Sequence, residues 1–234
     1  MQDTDLKTKE KLDQSTFRFN LLPEIDIVNE DLPEGRVYYR RAFPSIRVPS
    51  VTTLISRSNE FDFSYLEKWK AKVGKEVAEQ TSTKAKLRGT AIHKLCEDYI
   101  YSRPLKAMPI NLADFQKLKP ILDSSLEIVY GIEHPLFSEK LGTAGRTDLI
   151  AQWNGLDRII DFKTSKRKKK AEDIEHYFVQ MAIYALLIAD QHKKVITEGV
   201  IIVSVDNDEP QVFEVNLLKY MKKAMRVISY EANI

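Results

Sequence analysis

Two strand-like runs, TAGRTDLIAQW (143–153) and LDRIIDFKTS (156–165), meet at a single Asn154-Gly155 dipeptide. Asn-Gly is the strongest short-range signal for a two-residue hairpin, because both central residues of that turn take positive φ. Such a turn fixes the register of the pair. It puts Asp148 directly opposite Asp161, with Lys163 two residues further along the same strand and on the same face. Opposed side chains lie roughly 5 Å apart. Two carboxylates at that separation repel by about 3 kcal/mol at an effective dielectric of about 20. Folding alone gives no reason for the juxtaposition, whereas a shared divalent cation does. The plain alternative is a solvated hairpin face on which Asp and Lys alternate. A four-residue turn would shift the pairing by two and part the acids.

At 234 residues the chain suits one sizeable core with a helical elaboration. Its 43% hydrophobic and 30% charged residues are those of an ordinary soluble globular protein. No apolar run approaches the roughly 18 residues of a membrane span. The N-terminus, MQDTDLKTKEKLDQ, has no apolar centre and several acids, unlike a secretory signal or an Arg-rich transit peptide. Residues 1–36 therefore read as a mobile tail, and the protein as cytoplasmic, not secreted and without membrane contact. One cysteine, Cys96, excludes an intramolecular disulfide framework, a Cys-based zinc site or an iron–sulfur cluster held by this chain alone. Cys96 reads as a small core hydrophobe. A net charge of +2 does not identify a nucleic-acid binder. Its distribution is more telling, because Lys166 to Lys170 (KRKKK) follows the hairpin directly, although isolated runs of this kind are usually just solvated.

Periodicity orders the rest. Residues 37–55 alternate as an extended lead-in, and Ser50 caps a short helix from Val51 to Ile55. Residues 64–80 carry helical spacing through Leu66, Trp69, Val73 and Val77. A second helix is predicted over about 83–101 with Leu87, Ala91, Leu95 and Tyr99 along one side, and a third over about 112–130, kinked or broken at Pro120. From 136 three antiparallel strands follow, then a helix over 171–190, strands at 195–205 and 211–215 around an Asn207-Asp208 turn, and a last helix at about 217–231. The order predicts a single domain of mixed α/β (α+β) class, with a helical arm at about 50–130 and a catalytic core at about 131–234.

Four sequence pieces align with this order: Gly89-Thr90-Ala91-Ile92-His93, Gly145-Arg146-Thr147-Asp148, Asp161-Phe162-Lys163, and Gln180 with Tyr184. Together they resemble the GxxxH, GxxD, DxK and QxxxY motifs of the RecB-type branch of the PD-(D/E)XK nuclease superfamily. Within that branch the lead-in Pro49-Ser50-Val51-Thr52-Thr53, the Trp69 helix and Arg88-Gly89-Thr90 look like mitochondrial genome maintenance exonuclease and its bacteriophage relatives. The resemblance covers roughly residues 37–205. It implies a restriction-endonuclease-like αβββαβ core with a helical N-terminal arm, and metal-dependent hydrolysis of DNA phosphodiesters. Carried over position by position, Asp148 and Asp161 match the metal-binding carboxylates, the Phe162 carbonyl completes the shell, Lys163 matches the catalytic lysine and His93 the helix-borne ligand. Gln180 and Tyr184 match the motif that shapes the DNA-side wall, or pack the helix at i,i+4 spacing. Arg146, Thr164, Ser165 and Lys166, which flank these positions, are further DNA-contact candidates. Glu97, one helical turn beyond His93, is a candidate partner for its ring or a surface acid.

The residue types suit that chemistry. Mg²⁺ prefers hard oxygen ligands, and an imidazole ligand favours Mn²⁺ somewhat. Lysine can orient or deprotonate a water, or stand as a fixed cation beside developing negative charge. The resemblance implies a monomeric exonuclease acting on single-stranded DNA ends or flaps, with Mg²⁺ (or Mn²⁺) and no iron–sulfur cluster, in replication, recombination or repair. No Walker A sequence is present, so unwinding would fall to a separate helicase or replication protein. The competing readings are a structure-selective or duplex endonuclease with the same site, a non-catalytic nucleic-acid-binding module, and a metal-dependent phosphohydrolase for small molecules.

Overall fold

A computed structural model of the chain describes residues 16–231. Its centre is the expected hairpin. Strands β6 (Thr143–Trp153) and β7 (Leu156–Ser165) are joined by Asn154 at φ 49° and Gly155 at φ 76°, the paired positive values of a type I′ turn. The register runs from Trp153 opposite Leu156 to Leu149 opposite Ile160 and stops there. Beyond that point β6 continues beside β5 (Leu126–Ser138), and β7 continues parallel to β8 (Glu198–Val205) as far as Ser165. The two central strands therefore fork just where Asp148 and Asp161 come next.

The main sheet has six strands in the order β1-β5-β6-β7-β8-β9, with β1 at Arg18–Phe19 and β9 at Gln211–Asn216. Alternation along its strands sends side chains into two layers. Ile150, Ile159 and Ile201 point to one core, packed by α1 (Val51–Arg57), α5 (Glu175–His192) and α6 (Met221–Glu231). Leu149, Ile160 and Ile202 point to the other, packed by the C-terminal half of α3 (Lys75–Ile100) and by α4 (Pro109–Ser125). Each large apolar side chain removed from water in these layers contributes roughly 1.5–3 kcal/mol. The architecture is mixed α/β and consistent with a restriction-endonuclease-like core.

Several boundaries differ from expectation. Of the tail predicted over 1–36, residues 1–15 lie outside the described residues, but 16–36 are folded. Phe17 is buried, β1 runs parallel to β5, and β2 (Ile27–Leu32) joins β3 (Gly35–Arg40) and β4 (Phe43–Pro49) in a separate three-stranded sheet. The helix at 64–80 is interrupted: α2 (Ser64–Val73) ends at Gly74, whose φ of 85° and ψ of 156° only glycine adopts readily, and α3 starts at Lys75. No residue of α2 is buried, and Leu66, Val77 and Leu87 are exposed, so this end of the arm stands off both cores. α4 passes through Pro120 but stops at Ser125, five residues early. The Ile128-Val129-Tyr130 stretch pairs with β6 instead, as its β-branched and aromatic residues favour. α1 begins as predicted, with Ser50 Oγ accepting from the Thr53 amide at 3.0 Å.

Candidate active site

The fork in the sheet lets groups from both layers meet. Asp148 fills the first place past the ladder, and one carboxylate oxygen, Oδ2, accepts the Phe162 backbone N–H at 2.7 Å. Its other oxygen, Oδ1, lies 3.5 Å from His93 Nδ1, which reaches over from α3 on the opposite layer. His93 Nε2 donates to the Phe162 carbonyl at 2.7 Å, and that bond sets the ring's orientation and leaves Nδ1 facing the carboxylates.

A third acid stands there, and no motif pointed to it. Glu133 Oε1 is 3.9 Å from His93 Nδ1, and one donor atom each from His93, Glu133 and Asp148 fall within 4.8 Å of one another. Glu133 lies between the register pairs Ile132–Leu149 and His134–Thr147 of β5 and β6, at φ 48°, a left-handed value unusual for a side-chain-bearing residue. Arg146 braces this kink by donating from Nη1 to the Glu133 carbonyl at 3.0 Å. The sequence offers a single cue to Glu133: it is an acid in a largely apolar stretch, between the helix predicted to end at about 130 and the first strand predicted from 136.

Asp161 and Lys163 form the second half of the site. Asp161 is 3% exposed, and Lys163 Nζ sits 2.8 Å from Oδ1 and 2.7 Å from Oδ2. Lys163 Nζ also lies 4.7 Å from the centroid of the Tyr177 ring on α5. Burial, aided by the negative charge of Asp148, pushes the Asp161 carboxyl up to about 6 although Lys163 opposes it. Burial works against a charged Lys163, but Asp161 and Asp148 outweigh it and raise its pKa. Burial likewise works against a charged His93, and the Asp148 carboxylate overcomes this and carries it up to about 10. For Asp148 itself burial raises the pKa, and His93 and Lys163 bring it below the usual carboxylate value.

The donor set suits a hard divalent cation. Ligands about 2.1 Å from an octahedral ion sit about 3 Å apart when adjacent and about 4 Å apart when opposed. His93 Nδ1 lies 3.5 Å from Asp148 Oδ1 and 3.9 Å from Glu133 Oε1, within that range, and one donor atom from each of the three residues falls within 4.8 Å of the others. Of the other groups expected in the shell, Asp161 pairs with Lys163 and the Phe162 carbonyl accepts from His93. Glu97 is no partner of His93. Arg103 Nη1 holds its Oε1 at 2.7 Å and Lys94 lies 3.2 Å from Oε2, which turns it away.

Gln180 and Tyr184, expected on the DNA-side wall, are 7% and 5% exposed, and Gln180 Nε2 donates to the Tyr184 hydroxyl at 3.3 Å. They pack beneath the site. The reason is Gly145: a β-carbon there would come within 2.9 Å of Tyr184 Cε1, so the glycine of the GxxD piece is the seat for that ring. Thr164 and Ser165 are half-buried at the end of β7, with Thr164 Oγ1 3.8 Å from where a Gly89 side chain would begin, and Lys166 and Arg146 are exposed. The KRKKK segment is pinned by its backbone: Gln211 accepts from the Lys169 N–H at 2.7 Å and donates to its carbonyl at 3.0 Å. Lys168 pairs with Asp208 at 2.9 Å, while the side chains of Lys166, Arg167, Lys169 and Lys170 are exposed.

Among solved structures the chain is similar to a protein described as a "putative exonuclease" from Eubacterium rectale, at 14% identity and a TM-score of 0.42 over 64% of this chain. The likeness spans 65% of that protein, just under two thirds of its length. It is also similar to the protein SSO0001, at 14% identity and a TM-score of 0.34 over 99% of this chain and 87% of the other. Neither likeness, at such scores, says what the chain does. No curated protein matches the chain in sequence. No helix among the described residues is long and apolar enough to cross a membrane. Residues 125–229, the stretch that supplies Glu133, Asp148, Asp161 and Lys163, match the family model of the PD-(D/E)XK nuclease superfamily.

Proposed function

We propose that the chain is a metal-dependent deoxyribonuclease that hydrolyses phosphodiester bonds in single-stranded DNA, acting as an exonuclease on ends or flaps. The observation that carries this reading is the forked hairpin, with His93, Glu133 and Asp148 converging on one side and the Asp161–Lys163 pair on the other. In this reading His93 Nδ1, Asp148 and Glu133 would hold a Mg²⁺ or Mn²⁺ ion, with Asp161 beside them. Such an ion supplies positive charge and Lewis acidity to the reacting phosphate.

The chain's own groups divide the remaining work. Asp161 holds Lys163 in place through two short contacts, and the raised pKa of Lys163 keeps it an ammonium. That favours a fixed cation beside the charge developing on phosphate, and a proton donor through Nζ, over a general base. The exposed cations of the 166–170 segment lie where a backbone leaving the site would be neutralised, which predicts salt-sensitive binding. α2 and the first half of α3 carry Lys68, Lys72, Lys84 and Lys86, all exposed, on the arm that leads to His93. An arm of this kind roofing the site supports the preference for a free end.

A labelled oligonucleotide incubated with Mg²⁺ and, separately, with chelator tests the activity; cleavage confined to the metal lane is expected. Lys163→Ala should lower cleavage by at least about a hundredfold while DNA binding persists. Unchanged cleavage would show that Lys163 neither steadies the phosphate charge nor donates a proton. Closed circles of single-stranded DNA should survive conditions that degrade linear strands, and their degradation would favour the endonuclease reading.

A further inference from the structure

An aromatic row leads outward from Lys163. Its Nζ lies over the Tyr177 ring, and the His176 ring follows at 4.0 Å from Tyr177, centroid to centroid. Phe63 and Phe61 meet His176 edge-on at 5.6 and 6.1 Å. The two phenylalanines come from the loop between α1 and α2, and Phe61, Phe63 and then Tyr65 in the first turn of α2 alternate with polar residues. Asp62 Oδ1 accepts the Ser64 N–H at 2.8 Å, at the first residue of α2.

Packing accounts for only part of this row. Phe61 and Phe63 rest against the α5 core and anchor the loop, whereas Tyr65 is 56% exposed on a helix that buries no residue. Tyr65 stands in the first turn of α2, two residues beyond Phe63, and its hydroxyl is among the groups that raise the Tyr177 pKa. His176 is half-buried between two phenylalanines, and no hydrogen bond links it to another described residue. Burial first, then the cations Lys163 and Lys169, hold its pKa down at about 4, so at neutral pH it is a flat uncharged ring. Cations flank the row, with Lys163 at its inner end and Lys223 Nζ 5.0 Å from the Phe61 ring. Flat rings interleaved with ammonium groups are how proteins hold single strands: bases stack on the rings while the cations follow the phosphates.

We propose that the row from Tyr177 through His176 and Phe63 to Tyr65 is a nucleobase-stacking subsite beside the scissile phosphate, which takes a DNA strand unpaired at that point. This rests on the nuclease reading and gives a physical origin to its single-strand preference. A base inside a duplex already has both faces stacked on neighbours and can offer none to a side chain.

The test uses the full chain with Ca²⁺ in place of Mg²⁺, and fluorescence anisotropy of a labelled single-stranded oligonucleotide. Tyr65→Ala and His176→Ala should each weaken binding about tenfold, and His176→Phe should restore most of the loss. Because Tyr65 lies on the surface, its variant separates stacking from folding. Wild-type protein should bind an oligonucleotide of abasic sites as weakly as the Ala variants bind the normal one, and should quench 2-aminopurine placed in the strand. If both Ala variants bind like wild type and 2-aminopurine stays bright, while wild type still cleaves the same strand with Mg²⁺, the subsite is wrong and the nuclease reading stands. Absence of any metal-dependent cleavage by wild type overturns the nuclease reading and the subsite with it.

Discussion

Gly145 and Tyr184 are coupled by space. A side chain at 145 would begin 2.9 Å from Tyr184 Cε1 and 3.1 Å from its hydroxyl, and Tyr184 is locked within a helix buried on nearly every side. Gly145→Ala should therefore cost about 1–3 kcal/mol, the usual range for forcing volume into a packed core. In the Tyr184→Ala background the same change should cost much less, a coupling that a urea double-mutant cycle resolves. Additive losses would mean that the strand, not the ring, objects to a side chain. Glu133 is the other residue held by its surroundings. Its left-handed backbone costs a non-glycine residue about 1–2 kcal/mol, so Glu133→Gly should be more stable than Glu133→Ala by about 1 kcal/mol. Both lose the carboxylate, and both should weaken Mn²⁺ binding at least about tenfold by titration calorimetry; equal affinity would exclude Glu133 as a ligand. Motif spacing alone singles out His93, Asp148, Asp161 and Lys163, and the folded chain brings all four to one fork. Glu133 left no motif because its approach to His93 depends on a strand kink, and the burial of Gln180 and Tyr184 was hard to read because a helix apolar on nearly every side has no polar face to orient it.

At the scale of elements, what was legible followed local chemistry. Asn154-Gly155 specified its hairpin and Ser50 its helix, since turn and cap preferences act within a few residues. What was not legible depended on distant partners. Residues 27–32 become a strand only by pairing with 35–40, and Leu126 onward becomes a strand only beside β6. α3 is held in place by such a distant partner. Arg88 Nη1 lies 2.6 Å from Asp206 at the end of β8, and Nη2 lies 2.9 Å from Asp114 on α4 and donates to Ser204 Oγ at 3.1 Å. One guanidinium thus ties α3 to α4 and to the sheet, one turn and a half before His93. Arg88→Met removes the tie and takes their shared cation from two carboxylates, one of them mostly buried. The expected loss is about 1–3 kcal/mol, discounted because Asp206 is partly solvated. In a chain of this length that lowers the melting temperature by a few degrees, measurable by calorimetry. A variant melting with wild type would show that packing alone positions the helix.

For the molecule as a whole, a histidine pair between β5 and α5 sets a limit on acid stability. His134 on β5 is wholly buried, and its Nε2 lies 2.9 Å from Nε2 of His192 at the end of α5, where Gln191 Nε2 also approaches His192 Nε2 at 2.9 Å. An amide nitrogen can only donate, so His192 Nε2 accepts and His134 Nε2 carries the proton between the rings. His134 Nδ1 is then an unprotonated nitrogen without a partner among the described residues, pressed against Gly131 where a β-carbon would come within 2.7 Å. Adding a proton there creates a buried donor with nothing to receive it. Burial, with the neighbouring His192 and Arg146, accordingly holds His134 down at about 4, and burial lowers His192 as well. In the unfolded chain both titrate near 6.5. Because the folded value is the lower one, the unfolded state takes up protons first as pH falls. Stability from this pair is complete above about 6.5 and drains away towards 4. For His134 the loss reaches on the order of 3 kcal/mol at pH 4. His134→Gln keeps a donor for His192 but cannot titrate, so its urea-unfolding free energy should fall less steeply than that of wild type between pH 6.5 and 4. Parallel curves would place the acid sensitivity in the carboxylates of the fork instead.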